Sequence, residues 1–205
     1  MKKIIFAAAA LFAFGFANAQ DAKEDSAGGG YANGDVFITG GIGITSFEEG
    51  DVSSSIFNIS PKIGFFVSDN IAIGGRLGYR SETADVYDAD LLEYGEEKYS
   101  TLMVGAFGRY YTTPSSDFSF FAELGVDYMS TTVDVPGGDY KETGFGIALS
   151  PGISYFMSDH FALEASIGVL GYNTMKPDYD GAENRNTFDI GVNMEDVMVG
   201  VVYKF

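Results

Sequence analysis

An all-β fold, an eight-stranded antiparallel up-and-down barrel that spans a membrane, is what this sequence predicts, on three observations. The last ten residues, Asp196 to Phe205, alternate strictly: Val197, Val199, Val201, Tyr203 and Phe205 form one apolar face. The other face holds Asp196, Met198, Gly200, Val202 and Lys204, and with them both charges. The N-terminus has the form of an export signal, and eight alternating segments with turns of two kinds fill the space between. A period of two with one apolar face is a strand between two media, and a terminal Phe beside Tyr is the closing strand of such a barrel.

Met1-Lys2-Lys3 is a short basic start, Ile4 to Phe16 is an apolar run, and Ala17-Asn18-Ala19 is a small-x-small cleavage site. Residues 1–19 therefore read as a signal peptide and Gln20 as the mature N-terminus, with no Cys there for a lipid anchor. Removing Lys2 and Lys3 takes the net charge from −17 to −19, which repels nucleic acid. No later apolar run approaches the roughly 20 residues of a membrane helix, so a membrane form of this chain must be a closed barrel. The absence of cysteine excludes disulfide staples and thiolate metal sites.

Residues 20–34, with Gly28-Gly29-Gly30 inside, are polar and Gly-rich and read as a flexible periplasmic leader; residues 35–205 read as the barrel domain. Strands are expected near 35–47, 54–66, 70–82, 98–111, 118–131, 142–156, 160–173 and 187–205. Short turns at 67–70, 112–117 and 157–160 alternate with longer connections at about 48–53, 83–97, 132–141 and 174–186. Short periplasmic turns and longer outer loops are the asymmetry expected of such barrels. Ser60 to Ala72 echoes Ser150 to Ala162, sharing Ser-Pro, Ile, a terminal Phe, Ser-Asp and Ala at one offset. The echo predicts two equivalent hairpins. Pro61 and Pro151 each remove a ladder donor and are expected at bulges. Phe188, Ile190, Val192 and Met194 carry the wrong parity for Phe205, so a further bulge is expected near Glu195-Asp196.

The apolar parity runs through Ile38, Ile42 and Ile44, then Phe57, Ile63 and Phe65, and on through Leu102, Val104, Leu124, Ile147, Leu163, Ile167 and Val169, without a charge. Phe and Tyr at the strand ends form both interfacial girdles, since there is no Trp. The opposite parity carries Lys62, Arg76, Arg80, Arg109, Glu123, Asp127, Glu164, Asp196 and Lys204. A water-soluble barrel would show the reverse arrangement. Eight strands enclose a space that side chains just fill, so these charges are expected to pair as a plug.

Catalysis of the Ser-His-acid kind lacks its central member, because the only His is His160 in a periplasmic turn. The reading is therefore not an enzyme, and no cofactor or metal site is indicated. Over 48–53, 82–98, 134–142 and 176–189 there are 17 acidic residues against four basic ones, a solvated surface that could bridge to lipopolysaccharide through divalent cations. Asp178-Tyr179-Asp180-Gly181 shares only the start of a calcium-loop pattern.

The signal peptide, the two Ser-Pro hairpins and the ending Val-Gly-Val-Val-Tyr-Lys-Phe together resemble the porin-family outer-membrane β-barrel domain over about 35–205. That family is similar in architecture to the small outer-membrane protein A and X barrels. The resemblance implies an outer-membrane location, contact with outer-membrane lipid and lipopolysaccharide, a monomer, and insertion by the barrel assembly machinery through Tyr203 and Phe205. The function expected is structural or surface-interaction, with a narrow porin-like channel as the alternative.

Overall fold

The computed structural model describes residues 29–49, 52–88, 93–135, 138–192 and 197–205. The signal peptide, the first part of the leader, the tips of three outer loops and residues 193–196, Asp196 among them, lie outside the described residues. Ten strand segments build eight antiparallel wall strands: β1 (Val36–Glu49), β2 (Val52–Phe66), β3 (Ile71–Asp88), β4 (Glu93–Tyr111), β5 (Phe118–Val135) and β6 (Gly138–Phe156). The seventh is β7 (Phe161–Ile167) continued by β8 (Leu170–Pro177), and the last is β9 (Arg185–Ile190) continued by β10 (Val197–Lys204). Neighbours pair in chain order, and β10 pairs with β1 to close the ring. Phe205 extends that closure, its N–H donating to the Val36 carbonyl at 3.0 Å.

The alternation sets the two faces. β5 reads exposed and buried in turn from Phe118, with Leu124 53% exposed and Glu123, one residue away, 3%. Ile63, Ile73, Leu102, Val104, Val126, Ile147 and Leu163 are exposed to the same outer side. That is the membrane arrangement of an apolar exterior around a polar interior. The echoed turns make the same bonds: Val67 and Ser68 N–H donate to the Ile71 carbonyl, and Met157 and Ser158 N–H to that of Phe161. The Ser68 and Ser158 hydroxyls accept from the N–H of Ile71 and Phe161 in turn.

Three local expectations are corrected. The β2–β3 register is the same on both sides of Pro61, Ile59↔Tyr79 and Lys62↔Arg76, so Pro61 interrupts the ladder without a bulge. At Pro151 the extra residue is on the facing strand: Gly152↔Ser166 gives way to Leu149↔Leu170, so two residues of β6 face three between β7 and β8. This bulge turns Leu170 and Tyr172 outward in place of Val169. It also explains the odd parity of the last strand, because β9 follows β8, with Phe188 opposite Tyr172 and Ile190 opposite Leu170. The bulge expected near Glu195-Asp196 falls on residues 193–196, which lie outside the described residues. The longer outer connections are mostly strand: β3 and β4 stay paired out to Asp88↔Glu93, and β5 and β6 out to Val135↔Gly138. Acidic side chains did not stop these ladders, since cross-strand hydrogen bonding continues in water as long as a partner strand is present.

Candidate functional site in the barrel lumen

Inward-facing residues form layers. At the periplasmic end Phe37, Phe66, Phe107, Tyr111, Phe121 and Phe156 are all buried. Four of the six come from aromatic doublets, Phe65-Phe66, Tyr110-Tyr111, Phe120-Phe121 and Tyr155-Phe156, in which one ring meets the membrane and the next enters the lumen. Reading the sequence for its outward face alone passes over them; the doublets were the available signal.

The end of the leader enters this layer. Gly30 and Tyr31 are buried in the barrel mouth, Tyr31 to 3% exposure, while residues 32–34 stay exposed. Its ring lies 4.5 Å from that of Phe66, 4.8 Å from Phe156 and 5.2 Å from Tyr111. The Tyr31 N–H donates to the Pro114 carbonyl at 2.7 Å, and Lys204 Nζ to the Gly30 carbonyl at 2.6 Å. Gly30 has φ 135°, and a Cβ there would also meet the backbone of Pro114 and Ser115, so glycine is required. The Tyr31 hydroxyl is buried without a hydrogen-bond partner among the described residues.

Above the rings lies the ion layer, with Glu123 at its centre. Glu123 Oε1 accepts from Lys62 Nζ at 2.6 Å and Arg76 Nη1 at 3.2 Å. Glu123 Oε2 accepts from Arg109 Nη2 at 2.6 Å and Nε at 3.0 Å. Arg109 Nη1 also donates to both Glu164 oxygens at 2.9 Å and to the Tyr111 hydroxyl at 2.7 Å. Arg76 closes the set by a two-pronged pair with Asp127, Nε to Oδ1 at 2.6 Å and Nη2 to Oδ2. The Arg76 guanidinium occupies the space a Cβ on Gly125 would take. The Arg109 guanidinium also sits 4.2 Å from the centre of the Phe121 ring, so the ion layer rests on the aromatic one. Three cations against three carboxylates, each with hydrogen-bonded partners, is the form in which buried charge is tolerated.

Arg80 does not join this cluster. Its side chain is 49% exposed and bonds Glu82 at 2.9 Å on the same strand, because it lies two pleat repeats beyond Arg76 on β3, toward the outer rim. Lys204 serves the leader instead of the ion layer. Tyr111 and Tyr31 belong to the plug and were not singled out by charge or motif. Tyr203 packs on Phe161 at 5.1 Å and Phe205 at 4.9 Å, and His160 Nδ1 bonds the Lys204 carbonyl at 2.9 Å. Farther out, Thr101 and Thr131 share a hydrogen bond at 2.9 Å and Arg185 reaches Glu142 at 3.0 Å, while Asn58, Met103 and Met129 are only half-buried.

A family model described as outer membrane protein beta-barrel domain matches residues 6–205. No curated protein matches the sequence significantly. Among solved structures, the outer membrane protein OprG from Pseudomonas aeruginosa is similar, with a TM-score of 0.58 and 16% identity over 86% of this chain and 98% of that one. The N-terminal β-barrel domain of Pseudomonas aeruginosa OprF gives 0.46 and 15% over 85% of this chain and 100% of that one. Neisserial surface protein A gives 0.43 and 18% over 83% and 96%.

Proposed function

The chain belongs to the outer membrane protein β-barrel domain family, and from that premise we propose a structural or surface-interaction role for a barrel with a closed lumen. It is an outer-membrane protein, and its acidic outer rim is the part offered to partners outside the cell. The observation that carries the closed lumen is the stacking of two complete layers: Glu123 held by Lys62, Arg76 and Arg109, and beneath it the rings around Tyr31. Conduction needs a hydrated path along the axis, and both layers stand across it. The purified barrel in planar bilayers is expected to show no steady openings above the empty-bilayer baseline. Steady openings would instead support the narrow channel.

The partners follow from the surface. The apolar outer face binds outer-membrane lipid, and the acidic rim meets lipopolysaccharide through divalent cations. The protein works as a monomer and not as an enzyme. Tyr203 and Phe205 act as the insertion signal read by the barrel assembly machinery, a role supported by the packing of both rings at the closing edge. Deleting Phe205 is expected to lower outer-membrane levels sharply in fractionated cells, with the unfolded chain degraded in the periplasm. Unchanged levels would remove that role from Phe205.

A further inference from the structure

Above the ion layer the lumen is lined by thioethers. Met103 of β4 faces Met129 of β5, Met129 faces Gly144 of β6, and Gly144 faces Met175 of β8. The four positions form one row at one height of the wall. Leu102, Val104 and Tyr128 are exposed on the lipid side, so Met103 and Met129 point inward by alternation. Met175 has the inward parity of β8, three residues on from the exposed Tyr172. All three methionines are half-buried.

Directly opposed side chains of an antiparallel pair start about 5 Å apart, so the Met103 and Met129 thioethers can reach each other. Met175 starts a strand farther off, but its Sδ is only 2.6 Å from where a Cβ on Gly144 would stand. The glycine lets Met175 lie across β6, which brings its sulfur within one strand spacing of Met129. Met129 leans to meet it. Its Cε is 3.2 Å from the Cβ position of Gly146, where Asn173 Oδ1 also arrives at 2.5 Å. Two thioethers and one amide oxygen thus gather over Gly144 and Gly146. Met103 leans the other way, its Cε 2.6 Å from the Cβ position of Gly78, and its flexible chain can swing back.

We propose that this row binds a soft monovalent cation of the Cu(I) or Ag(I) class, held by Met129 and Met175, with Asn173 Oδ1 beside them and Met103 as a further thioether. Thioether sulfur is a soft donor that selects Cu(I), whereas carboxylate and water suit hard ions such as calcium. Every donor here is neutral. The carboxylate one pleat repeat along β6, Glu142, is already held by Arg185 at 3.0 Å. A neutral donor set suits one positive charge better than two, since each charge taken out of water needs compensation. The acidic outer rim draws cations toward the mouth above the row. The site needs only the outer lumen and does not depend on a closed floor.

The chain has no cysteine, so thiols do not compete for the probe. The purified, folded barrel is titrated with silver nitrate in chloride-free buffer, followed by calorimetry and by the methyl NMR signals of labelled methionine. It is expected to bind one silver ion, with the Met129 and Met175 methyl signals shifting as it does. Met129→Leu and Met175→Leu should each weaken binding by about tenfold or more. These changes conserve volume, so the fold should hold. Met103→Leu should weaken binding less. Met157→Leu, in the periplasmic turn where the side chain is 55% exposed, should change nothing. An excess of calcium should leave the silver in place. Unchanged affinity in the Met129→Leu/Met175→Leu double variant overturns the site, and so does displacement by calcium, which would put the ion on the acidic rim. Should a variant fail to fold, the native chain decides: methyl signals of Met129 and Met175 that do not move with silver overturn the proposal.

Discussion

Glu123→Met is expected to destabilise the folded barrel by about 3–5 kcal/mol, the usual cost of removing one member of a buried ion group. The substitution leaves Lys62, Arg76 and Arg109 facing only Asp127 and Glu164, one uncompensated cation in a buried layer. Arg109→Met is expected to cost a similar amount for the opposite reason, since Glu123 and Glu164 both lose their strongest donor. The double variant restores the count to two cations and two carboxylates. It should therefore recover a large part of the summed loss, because the interaction between neighbours makes their effects non-additive. Urea titration of the vesicle-inserted protein, followed by circular dichroism and by the gel mobility of the folded form, measures all three. Strictly additive losses would show a hydrated lumen with screened charges, and the closed-lumen reading would fall with them.

Tyr31→Ala is the second large effect. The ring is buried against Phe37, Phe66, Tyr111 and Phe156, and truncating a core aromatic costs about 3–5 kcal/mol where the site cannot collapse. The four facing rings are held on rigid strands, so the hole stays open. Tyr31→Phe should cost far less, because it keeps the ring in its socket and gives up only a buried hydroxyl, whose pKa burial pushes well above the usual phenol range. The same urea titration distinguishes the two variants, and limited proteolysis should cut the leader of the Ala variant much faster. Equal stability of Ala and wild type would mean that the leader rests on the mouth without sealing it.

The sequence by itself determined the barrel, its strand count, and which face of the strands meets lipid except where the register slips past Pro151. These follow from the period-two pattern, because a membrane punishes a single misplaced charge and so writes its boundary into every second residue. Turn chemistry was equally local: Ser68 and Ser158 cap their turns through neighbours three residues away. The inward acids and bases were legible as a set for the same reason, as charges on the parity that lipid excludes. Their partners were not. Glu123 gathers Lys62, Arg76 and Arg109 from three other strands, and which cation reaches it depends on register and shear, which no single strand encodes. Arg80 shows the limit: it shares its parity with Arg76, yet its height in the barrel puts it in the outer rim with Glu82. Tyr31 looked like part of a loose leader because its neighbours are glycine and polar residues; only a closed ring of aromatic side chains creates a socket for it.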